Sequence, residues 1–179
     1  VQPILTAKCV ACHACYDAPC QLNLGSGEGV QRGASQQPVY DGSRRKAQAT
    51  TRLFVDAGNE AGWRSMGFSS VLDGGQRALL LRMLELGRAH PLQPSAPLPS
   101  GLDISIRRDN QCPLPRDFDE FARKNPASGM PFAVSGLSDS EFSTLQRWVG
   151  EGARLDIPPP QISASEAHQI QEWEAQLNA

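Results

Sequence analysis

The chain lacks the marks of several large protein classes. No apolar run approaches the ~20 residues that a membrane-spanning helix needs, and the longest, Ala78–Leu81, stops at Arg82. Basic and acidic residues nearly cancel, at 17 and 19, so no broad cationic face for nucleic acid is expected. Aromatics make up 6%. No stretch alternates apolar and polar residues for long enough to argue for a sheet. An initiating Met is absent, and the expectation is that an export signal was removed or the chain trimmed.

What is present suits a helical fold broken by many turns. The 179 residues can bury a sizeable core, and 16 Gly with 14 Pro predict long loops. Residues 1–8 form a helical stub with Ile4 and Leu5 apolar. Residues 25–50 are polar and read as loop, and their basic run Arg44-Arg45-Lys46 reads as solvated surface. A short helix is expected around Arg52–Ala57. A stronger one spans about Gly75–Gly87, where Leu79, Leu80, Met83 and Leu84 share one face. Four prolines in 91–101 make an extended connection, and residues 116–124 read as another short helix. Ser138 with Glu141 is a capping box, followed by Phe142, Leu145, Trp148 and Val149 on one face. Pro158-Pro159-Pro160 is a stiff spacer. A second capping box, Ser163 with Glu166, opens a last helix bearing Ile170, Trp173 and Leu177. The expected organisation is one all-α domain over 1–157, with 158–179 as spacer and terminal helix.

One motif carries chemistry. Cys9-Val10-Ala11-Cys12-His13 is C-x-x-C-H, the pattern of c-type haem attachment. Two thiols at this spacing can form thioethers along one porphyrin edge, and the next residue then lies under the iron, where imidazole serves as ligand. A zinc site would require a second Cys or His pair of like spacing. Cys15 and Cys20 are wrongly spaced, while His90 and His168 stand alone. A redox C-x-x-C would normally follow a strand, and none precedes this one. The reading is one covalent haem c held by Cys9 and Cys12, with His13 on the iron. Such attachment places the protein outside the cytoplasm, in the periplasm.

A second axial ligand must come from elsewhere. Gly129-Met130-Pro131 stands before a capped helix, where small cytochromes c supply a thioether, and Met130 is the choice. Met83 falls within an apolar stripe and reads as core; Met66 and His90 are the weaker contenders. His168 reads as solvent-facing. Phe142, Leu145 and Trp148 are expected to pack on the first helix and the porphyrin edge. Trp63 and Phe68 fit either another haem edge or plain core. These features predict a cytochrome c-like domain with a long, loop-rich insertion between the haem motif and Met130. Of the remaining cysteines, Cys112 is expected to pair with Cys20 or Cys15, Cys20 being preferred, and a local Cys15–Cys20 bridge is the rival.

The wider run Cys9-Val10-Ala11-Cys12-His13-Ala14-Cys15-Tyr16-Asp17-Ala18-Pro19-Cys20-Gln21-Leu22-Asn23-Leu24 resembles the bacterial fatty acid cis/trans isomerases. Val39-Tyr40-Asp41, Thr51-Arg52-Leu53-Phe54, Trp63-Arg64, Arg82-Met83-Leu84-Glu85, Cys112-Pro113 and Gly129-Met130-Pro131 look like the same family. Members of that family are longer, so this chain is expected to be their haem-bearing part. The resemblance implies haem-dependent conversion of cis to trans double bonds in unsaturated fatty acids or phospholipid acyl chains. It implies no net redox change, transient contact with a membrane surface and no nucleic acid partner. His13 and Met130 would then be catalytic as well as metal ligands. The other reading is a periplasmic electron-transfer cytochrome c, which the haem motif and Met130 serve equally well.

Overall fold

The computed structural model describes residues 1–14, 18–37, 51–91, 96–97, 112–132 and 134–154, with Gln169 and Gln176. Among these residues there are helices and turns but no strand; the sole ladder contact is an isolated bridge between Ala34 and Ser69. Six α-helices follow one another as α1 Gln2–Lys8, α2 Gly27–Arg32, α3 Glu60–Ser65, α4 Leu79–Ala89, α5 Phe118–Lys124 and α6 Asp139–Gly150.

Local chemistry explains their ends. The Ser138 hydroxyl accepts from the Glu141 amide, and the Glu141 carboxylate accepts from the Ser138 amide at 2.7 Å, so α6 begins with both halves of the capping box. Helix α4 ends at His90, ahead of Pro91. Two helices lie where the sequence reading placed other structure. Within the expected loop 25–50, α2 is capped by the Ser26 hydroxyl on the Gly29 amide. The helix expected at Arg52–Ala57 is instead a turn, with the Arg52 guanidinium and amide both donating to Asp56 and Phe54 at φ 66°. The nearby helix is α3, which starts at the Asn59 cap. The triple-proline spacer, the Ser163–Glu166 cap, the apolar residues of the last helix, His168 and the run 44–46 lie outside the described residues, as does most of 91–101.

One core joins Leu5 of α1, Leu22 and Leu24, the apolar face of α4, Phe118 and Phe121 of α5, and Phe142, Leu145, Trp148 and Val149 of α6. Trp63 and Phe68 belong to a separate cluster with Ala57, against which Leu53 packs.

Candidate functional site

The site starts where α1 unwinds. The amides of Cys9 and Val10 both donate to the Leu5 carbonyl, and the Cys9 carbonyl then accepts from the Cys12 and His13 amides at 3.1 and 2.9 Å. This tight turn gathers the three motif side chains. Cys9 and His13 are buried, Cys12 is exposed, and neither thiol is in a disulfide.

His13 is held from behind. Its Nδ1 lies 3.3 Å from the Leu22 carbonyl, which can only accept, so this contact favours the Nδ1–H tautomer, and the Pro19 carbonyl is a second backbone partner of the ring. The backbone repeats the contact, with the Leu24 amide donating to the His13 carbonyl at 2.7 Å. Burial lowers the His13 pKa below its usual range, since the charged imidazolium is poorly solvated there. A neutral ring with a free Nε2 is the form that ligates metal.

Met130 arrives through a backbone-to-backbone crossing. Its amide donates to the Met83 carbonyl of α4 at 2.9 Å. The approach is close enough that a methyl group on Gly87 would collide with the Met130 carbonyl, and one on Gly129 with the Gly87 amide. Only glycine at both positions lets the Met130 segment lie on the helix.

Cys9, Cys12, His13 and Met130 line one cavity of about 270 Å³. Leu22, Leu79, Leu80, Leu84 and Phe132 supply much of its apolar wall, and Lys8 sits at it with the amine bound to Ser135 and Gly136. Met83 also faces this cavity while being a buried core residue, whereas Met66 and His90 are exposed and do not reach it. Cys20 and Cys112 are disulfide-bonded, and both line the same cavity. The Cys15 alternative lies outside the described residues. Trp63 and Phe68 do not line the cavity: they stack edge to face with each other, and the Arg32 guanidinium lies over both rings. Arg32 itself was not legible as a site residue, because it stands in a polar stretch without apolar period.

The described site is thus an apolar pocket in a helical fold, furnished with two thiols, an imidazole and thioether sulfur. Residues 48–179 match the model of the fatty acid cis/trans isomerase family, and the chain belongs to that family. The matched span begins after the C-x-x-C-H motif. No curated protein sequence and no solved structure matches the chain.

Proposed function

We propose that this chain is the haem c-bearing, cytochrome c-like part of a periplasmic enzyme that converts cis double bonds of unsaturated fatty acids to trans, without net redox change. The observation that carries this reading is the convergence of Cys9, Cys12, His13 and Met130 on one apolar cavity in a member of this isomerase family.

The residues fit the group. Cys9 and Cys12 offer thiols for two thioether bonds, His13 offers Nε2, and Met130 offers a thioether; a wall of leucines suits the apolar faces of a porphyrin. When bound, haem supplies an electrophilic iron and a conjugated ring able to withdraw electron density from a double bond, which lowers the barrier to rotation about it. The chain supplies the rest. The Leu22 carbonyl orients His13, the Gly87–Gly129 crossing holds the Met130 backbone, and the apolar wall favours an acyl chain over water. No oxidant or reductant is consumed overall, because substrate and product are isomers. Membrane contact is transient in this reading; among the described residues no helix is long and apolar enough to cross a bilayer. The electron-carrier alternative is not favoured by the family.

The test is an isomerisation assay on palmitoleate with product analysis by gas chromatography of methyl esters. Wild-type chain in its full-length context should form the trans acid without added NADH or ATP, and His13→Ala should abolish this. Full activity in His13→Ala would sink the haem-dependent reading.

A further inference from the structure

Arg32 is among the most deeply buried of the described residues, at 2% exposure. Among the described residues no carboxylate pairs with it; its guanidinium lies over the rings of Phe68 and Trp63 at 5.0 and 5.9 Å. Its donors go to neutral oxygens. One terminal nitrogen donates to Thr51 Oγ1 at 3.0 Å and the other to the Gln21 carbonyl, while Nε has no partner. A buried cation with neutral partners is a costly way to gain stability. What it holds gives the reason for it.

Cys20 and Gln21 are consecutive non-glycine residues in left-handed conformation, at φ 60° and 51°. Such geometry persists only where the surroundings over-determine it. The surroundings here are the bond from Arg32 to the Gln21 carbonyl, Thr51 Oγ1 and the Gln37 carbonyl on the Gln21 side chain, the Ser35 amide on the Cys20 carbonyl, and the bridge to Cys112. The Gln21 carbonyl belongs to the rigid peptide plane that enters Leu22. The carbonyl leaving Leu22 is the one on His13 Nδ1. Only the two torsions of Leu22 separate the plane fixed by Arg32 from the group that orients the imidazole.

We infer that Arg32 is a positioning residue for His13: its guanidinium clamps the Gln21–Leu22 peptide so that the Leu22 carbonyl holds the ring with Nε2 free for iron. The ligand role of Nε2 rests on the reading proposed above; the clamp on the tautomer does not.

The test compares wild type, Arg32→Met and Thr51→Val as purified full chains. Thr51→Val removes the hydroxyl that anchors the guanidinium, and with it the bond to Gln21 Oε1, while sparing the charge, and it serves if Arg32→Met does not fold. Ring 15N shifts of His13 in haem-free chain report which nitrogen carries the proton. The expected result is the Nδ1–H form in wild type and a roughly 2–10-fold fall in its ratio to the other tautomer in Arg32→Met, the weight of one hydrogen bond. Thr51→Val should give a smaller change of the same sign. In haem-loaded chain the ratio of ferrous to ferric iron at a fixed applied potential should also move. Unchanged tautomer and iron ratios alongside a lower melting temperature would make Arg32 a mere core residue and overturn the inference. Should wild type carry no haem, the functional reading fails, while the tautomer measurement still decides the role of Arg32.

Discussion

Cys9 shows how far surroundings alter a single side chain. Burial, with help from nearby Cys12, raises its thiol from 9.0 to about 11. The thiolate fraction, already small at neutral pH for a value of 9.0, is cut further, and the thiol is a poor nucleophile. In haem-free chain the unfolded state loses this proton near 9.0 and the folded state near 11. Stability is unaffected below the first value and falls as pH rises towards the second, by about 2–3 kcal/mol for this group alone. Denaturant titrations from pH 8 to 11 should show the fall, and Cys9→Ala should remove that part of it. A second residue-scale expectation concerns Met130. In haem-loaded chain Met130→Ala should remove the ferric charge-transfer band diagnostic of thioether ligation while leaving the haem resistant to acid acetone, since Cys9, Cys12 and His13 remain. Retention of the band would point to Met83, the other methionine of the cavity. The motif residues could be named from spacing alone. That they share a wall with Met130 could not, because the long stretch between them must fold first. The role of Arg32 was hidden for a different reason: its partners are backbone carbonyls, rings and one hydroxyl, and none of these forms a pattern in sequence.

At the level of elements, helices were legible in proportion to their length and signals. Helix α6 combines a capping box with an apolar face and starts at its expected cap, whereas α4 keeps the expected stripe but starts at Leu79, one turn after the expected Gly75, because a separate 3-10 turn occupies Gly75–Arg77. Helices α2 and α3 have six residues each, too few to show a period. Their Ser26 and Asn59 caps were the available signals. The Arg52–Asp56 pair sits at the helical i, i+4 spacing but closes a turn, because the left-handed Phe54 between them breaks the helix. Ser138→Ala should cost about 1 kcal/mol by loss of the α6 cap, measurable as a shift in urea midpoint with unchanged slope. Gly129→Ala should cost more, ~2 kcal/mol or above, since the new methyl meets α4 backbone rather than a side chain that can move. In haem-loaded chain it should also weaken the Met130 spectral signature.

For the molecule as a whole, the all-α reading holds among the described residues, and the family was visible in the motif-rich segments. The Cys20–Cys112 bond spans 92 residues. In the chain-entropy account such a loop contributes roughly 4.6 kcal/mol, so the double change Cys20→Ala with Cys112→Ala should lower the melting temperature by several degrees or more. A calorimetric scan decides this; an unchanged transition would mean that packing alone holds the two segments together.

The cavity wall also has a history. One side comes from residues 7–24, the other from α4 and from residues 112–134. A chain delivered N-terminus first presents its two motif thiols and His13 well before the residues that will enclose them. During that interval Cys9 has neither the burial that suppresses its small thiolate fraction nor the neighbours that keep it from other sulfurs, and Cys20 has no Cys112 to join. The order of bond formation is therefore a problem in time as much as in space: the N-terminal cysteines must stay apart until Cys112 and the residues after it arrive.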